Sequence, residues 1–89
     1  MIRYYITVEG RVQEVGFRFF CQSHANLMNL TGFVHNMNNG MVELQIQGSK
    51  EVIDEFISIV KKGNFFIKVK DMYTKKIPLI EKEKGFKII

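Results

Sequence analysis

The stretch Glu9-Gly10-Arg11-Val12-Gln13-Glu14-Val15-Gly16-Phe17-Arg18 links a β-patterned run to an amphipathic helix. Before it, residues 2–9 alternate, with Tyr4, Ile6 and Val8 on one face and Tyr5 and Thr7 on the other, the period of a half-buried strand. After it, Phe17, Phe20, Cys21, Ala25 and Met28 fall on one continuous helical stripe. Glycines in such a turn let successive N–H groups point one way, and the unpaired amides and positive dipole end of a helix add to that field. Arg18 then supplies a planar fork suited to phosphate oxygens. Taken alone, the stretch fits an anion site, and it also fits an ordinary strand-to-helix connection carrying a surface arginine.

Outward from this turn, the helix over about 17–29 is closed by Asn29, since asparagine tolerates the left-handed conformation. Two strands, 31–37 and 41–47, flank Asn39-Gly40, which is expected to supply the positive-φ positions of a tight hairpin turn. Val42, Leu44 and Ile46 should face inward and Glu43, Gln45 and Gln47 outward. Ser49 is suited to cap a second helix whose apolar face is Val52, Ile53, Phe56, Ile57 and Val60, ended by Lys61, Lys62 and Gly63. A fourth strand is expected over 65–74 and a short fifth over 86–89, with Lys75 to Gly85, which contains Pro78, as an exposed loop between them. Tyr4, Phe65, Phe66 and Tyr73 read as core or sheet-face aromatics.

This order predicts an α+β, ferredoxin-like βαββαβ sandwich: an antiparallel sheet with two helices on one face and a short C-terminal fifth strand, forming a single domain over residues 1–89. A right-handed crossover through the first helix makes strands one and two parallel, so their C-terminal ends share one edge. The turn at 10–16 and Asn36 at the end of strand two should therefore meet, with Asn36 on the face of Val34.

Composition excludes several classes. With 46% hydrophobic residues and one proline, the chain is neither disordered nor low-complexity. No apolar run approaches the ~18 residues of a membrane span, and the N-terminus lacks the basic-then-apolar pattern of a secretory signal. A cytoplasmic protein without a membrane partner is expected. The single cysteine, Cys21, lies on the apolar stripe and reads as a buried structural thiol. No second Cys or close His pair offers metal-ligand spacing, so neither metal nor cofactor is expected. Residues 61–89 carry nine basic and three acidic side chains. That surplus could attract nucleic acid, but lysines alternating with apolar residues more often form the solvated face of edge strands.

Two blocks together carry a family resemblance. Gly10 to Arg18 is similar, with one change, to the G-R-V-Q-G-V-G-F-R signature of acylphosphatases. Gly32-Phe33-Val34-His35-Asn36, followed by Asn39-Gly40-Met41-Val42, resembles that family's G-W-V-x-N and D/N-G-x-V blocks at matching spacing. The resemblance runs over almost the whole chain. It implies metal-independent hydrolysis of small acyl phosphates to carboxylate and inorganic phosphate, by a protein expected to be a monomer. It also implies roles: the backbone of Gln13, Glu14, Val15, Gly16, Phe17 and Arg18 and the Arg18 side chain hold phosphate, and Asn36 orients the attacking water. The substrate's own phosphate would take the proton. Such chemistry is physically consistent, because phosphoryl transfer needs positioning and charge neutralisation and a mixed anhydride already has a good leaving group.

Asn36, read without the resemblance, fits a residue that merely ends a strand. His24 reads as a packed or partly exposed helix residue and His35 as a surface residue on the opposite face from Asn36. Four departures from the family pattern stand out. Phe33 replaces tryptophan and Asn39 aspartate, both retaining the chemistry; His35 removes a fixed positive charge; Glu14 replaces a loop glycine. Glu14 strains the backbone if its position needs φ > 0, and it brings a carboxylate towards bound phosphate. Two alternatives to the enzyme follow: a catalytically weakened, acylphosphatase-like anion-binding domain, and a basic nucleic-acid-binding ferredoxin-like domain. The latter stacks bases on aromatics of its central strands, and Met41 to Gln47 has none.

Overall fold

The computed structural model describes all residues, Met1 to Ile89. The elements are β1 (Ile2–Arg11), α1 (Phe17–Leu27), β2 (Thr31–Asn36), β3 (Val42–Gly48), α2 (Lys50–Lys62), β4 (Lys68–Ile77) and β5 (Phe86–Ile88). The strands form one sheet in the order β4-β1-β3-β2-β5. β3 is antiparallel to both β1 and β2, which makes those two parallel to each other as the crossover requires. The sheet is mixed rather than wholly antiparallel, because β5 pairs parallel to β2.

Period-two alternation builds the core. Ile6 and Val8 of β1, Val34 of β2 and Val42, Leu44 and Ile46 of β3 are all at most 1% exposed. Against them pack Phe17, Cys21 and Ala25 of α1 and Ile53, Phe56 and Val60 of α2. Phe86 of β5 closes one end, its ring 6.3 Å from that of Phe56. Burying each Val, Leu, Ile or Phe side chain among them stabilises the fold by about 1.5–3 kcal/mol. Cys21 is fully buried and free, and burial pushes its thiol pKa well up. That makes it a packing residue.

α1 ends at Leu27, and Asn29 takes φ 57 and closes it as expected. The hairpin turn has one of its two expected positive-φ residues. The Gly40 N–H donates to Met37 and the Met37 N–H to Met41, and of Asn39 and Gly40 only Gly40 has positive φ, at 90. This is a three-residue loop, with the Asn39 side chain accepting from the Met41 N–H at 3.0 Å.

β4 begins later and ends later than the expected 65–74. Asn64 Oδ1 accepts from the N–H groups of both Phe66 and Ile67 at 2.8 Å, which holds residues 64–67 in a local turn. Phe65 and Phe66 are consequently exposed rather than in the core or on the sheet, their rings edge to face at 5.3 Å. Pairing with β1 continues from Lys75 through Ile77, up to Pro78. Lysines 75 and 76 thus belong to an edge strand, where they discourage further strand pairing.

The segment after Pro78 is also not a free loop. It lies over the face of the sheet turned away from the helices and buries Arg3 completely. Arg3 donates to both carboxylate oxygens of Glu83 and to the side-chain oxygens of Gln45 and Gln47.

Candidate active site

α1 starts without a cap of its own. Its N-cap is Gly16, at φ 78 in the left-handed region, no side chain bonds the first-turn amides, and that turn contains no acidic residue. α2 differs: Ser49 accepts from the Val52 N–H and Glu51 lies in its first turn. The first amides of α1 have no intrahelical acceptor, so an anion is the natural partner for them and for the dipole. Arg18, exposed and in that same turn, can fork onto the anion's oxygens.

A pocket of about 220 Å³ opens at this helix end. Glu14, Gly16, Phe17 and Arg18 line it, together with the exposed side chains of Phe19 and Ile88. Glu14 has φ 60. The loop therefore does need a positive φ at this position, at a strain of about 1–2 kcal/mol for a non-glycine residue. The chain's three salt bridges, Arg3–Glu83, Lys50–Asp54 and Lys70–Glu9, leave both Glu14 and Arg18 unpaired.

Gln13 fastens the loop to the β2–β3 hairpin. Its Nε2 donates to the carbonyls of Met37 and Met41, each at 2.9 Å. The turn and the end of β2 are thereby joined, as the parallel β1 and β2 require. Sequence reading assigned Gln13 only a backbone role; no local pattern could show that its amide reaches 24 and 28 residues ahead.

Asn36 ends β2 opposite Val42, on the side of Val34. It is not among the residues lining the pocket. Its Oδ1 is buried and has no hydrogen-bond partner, the sole side-chain atom of this kind in the chain. An amide oxygen held this way is ready to accept a hydrogen bond from a ligand or a water. His35 points the other way and its Nδ1 lies 3.2 Å from the Ile89 carbonyl oxygen. His24 packs edge to face on Phe20, with centroids 4.6 Å apart. No three His, Cys, Asp or Glu side chains converge to hold a metal ion.

Comparison with known proteins places the whole chain in one family. The acylphosphatase family model fits residues 4–88. An acylphosphatase of Clostridium acetobutylicum is 46% identical over 89 residues, covering 100% of this chain and 98% of its own. One of Clostridium beijerinckii is 47% identical over 88 residues, covering 99% and 98%. The crystal structure of acylphosphatase from Bacillus subtilis superposes with a TM-score of 0.94 at 38% identity, over 100% of this chain and 99% of that one.

Proposed function

The chain belongs to the acylphosphatase family and is a hydrolase of small acyl phosphates, and on that premise we propose how its own residues divide the work. The amides of residues 13–18 and the Arg18 guanidinium hold the phosphate and neutralise charge that shifts between its oxygens during transfer. Asn36 accepts a hydrogen bond from the attacking water through Oδ1, fixing its approach without adding negative charge beside the phosphate. The water oxygen bonds to phosphorus, the bond from phosphorus to the acyl oxygen breaks, and its electron pair leaves with the carboxylate. The water's proton passes to the phosphate itself.

The observation that carries this reading is the unpartnered, buried Oδ1 of Asn36, one residue before the Met37 carbonyl to which Gln13 ties the loop. The testing experiment is hydrolysis of benzoyl phosphate by purified protein treated with a chelator. Turnover without added metal supports the assignment; phosphate binding without turnover favours the anion-binding alternative, which rests on the strained Glu14. On the open face of the sheet, β3 itself carries no aromatic, its Gln45 and Gln47 are engaged by Arg3, and the hydroxyl of the neighbouring Tyr5 donates to Glu43.

A cytoplasmic monomer completes the proposal. The free, buried Cys21 is in keeping with a reducing compartment. No helix is long and apolar enough to cross a membrane.

A further inference from the structure

Glu14 combines three features that packing does not explain. Its backbone stands at φ 60, where glycine would be unstrained and where a glutamate, unlike asparagine or aspartate, is not favoured. It lines the pocket shared with Arg18, and it is exposed. Its carboxylate is unpaired within the chain. Such a group repels the phosphate of every substrate, and an acyl part without charge offers nothing in return. The balance reverses when the acyl part carries a cation. Beyond the cradle the wall is apolar, with Phe19 69% and Ile88 38% exposed, so Glu14 is the counter-charge such a cation would meet.

Building on the acylphosphatase reading, we infer that Glu14 is a specificity-determining residue that selects acyl phosphates whose acyl group bears a protonated amine, the chemistry of an aminoacyl phosphate. The loop amides and Arg18 hold the phosphate, Phe19 and Ile88 flank the carbon skeleton, and Glu14 accepts hydrogen bonds from the ammonium. Discrimination arises as a difference: one carboxylate weakens neutral substrates and retains cationic ones. Hydrolysis itself is unchanged, and the ammonium takes no part in bond making or breaking.

The test compares 4-(aminomethyl)benzoyl phosphate with its near-isostere 4-ethylbenzoyl phosphate, and the corresponding 3-substituted pair, with unsubstituted benzoyl phosphate as the control. In the wild-type protein at low salt, kcat/KM for an amine probe should exceed that for its ethyl partner by roughly fivefold, the size expected of one partly exposed charge pair. The ratio should shrink as salt is raised. In Glu14→Gln, which keeps the side-chain length and removes the charge, it should fall to about one, and Glu14→Gly should behave alike. A wild-type ratio at or below one for both pairs, or a ratio unchanged in Glu14→Gln, overturns the inference alone. Failure of the wild type to hydrolyse benzoyl phosphate overturns the acylphosphatase reading and this inference together.

Discussion

Arg3 and Glu83, 80 residues apart, form a two-point ion pair on the sheet face away from the helices, with Nη1–Oε1 2.6 Å and Nη2–Oε2 3.1 Å. Arg3 is fully buried and the Glu83 side chain 17% exposed. Removing one partner leaves the other charge desolvated, so Glu83→Ala should destabilise the fold by about 3 kcal/mol. Urea unfolding at pH 7 measures this. An Arg3→Met, Glu83→Leu double substitution should recover much of the loss.

The same pair gives a pH dependence. Burial on its own raises the Glu83 pKa, but hydrogen bonding to Arg3 and Thr31 and the charges of Arg3 and Lys87 outweigh it and hold the carboxyl below its ordinary 4.5. Stability from this pair is therefore complete above that ordinary value and is lost as pH falls through the lowered folded value. The difference in unfolding free energy between wild type and Glu83→Gln should narrow as pH drops from 5 towards 3. A difference constant over that range would contradict the ion pair.

Arg18→Ala and Asn36→Ala should impair hydrolysis by different routes. Loss of Arg18 removes charge stabilisation and phosphate binding, lowering kcat by about 10²–10³-fold with weaker phosphate inhibition. Loss of Asn36 should lower kcat by about 10²-fold while sparing phosphate affinity. Steady-state kinetics with benzoyl phosphate and phosphate as inhibitor separates the two. Near-wild-type kcat in either variant would remove that residue from the mechanism. Treatment with EDTA should leave the wild-type rate unchanged.

Gln13→Ala deletes both hydrogen bonds to the hairpin carbonyls and should cost about 1–2 kcal/mol of stability. Because the loop then loses its register with Asn36, kcat/KM should fall more than stability alone explains. Gln13→Glu should be worse, since a carboxylate cannot donate to the carbonyls of Met37 and Met41. Activity equal to wild type in a folded Gln13→Ala protein would show the tie to be dispensable.

Glu14→Gly should tighten phosphate inhibition several-fold, equivalent to about 1 kcal/mol, through relief of strain at φ 60 and of repulsion. Glu14→Gln separates the causes. Improvement shared by both variants identifies charge, and improvement confined to glycine identifies backbone geometry. Unchanged phosphate affinity in both at low salt would place the anion elsewhere.

What could be read from the chain follows the range of the forces involved. Alternation in β1 and β3 and the stripe on α1 are local, and they located Ile6, Val8, Leu44 and Cys21 correctly in the core. The strand-turn-helix signature likewise led to Gly16, Arg18 and the strain at Glu14. Asn36 is ambiguous by itself and gained meaning only from its spacing to the first block. Contacts between distant residues were not legible: alternation assigned Tyr5 and Thr7 to one face of β1, and nothing local shows that Glu83 returns to cover Arg3 on that face. At β4, strand propensity in Phe65-Phe66 lost to two hydrogen bonds from Asn64.

The sheet order has a consequence for how the chain reaches its native state. β1 leaves the ribosome before every other element yet sits inside the sheet, between β3, which ends at Gly48, and β4, which ends at Ile77. The cradle loop that follows it has no anchor until Met37 and Met41 have been made. Closing such long loops loses entropy before any contact repays it, which places the chain among slower-folding topologies. A nascent chain lacking β4 carries every residue proposed for catalysis and still exposes one edge of β1 to other chains.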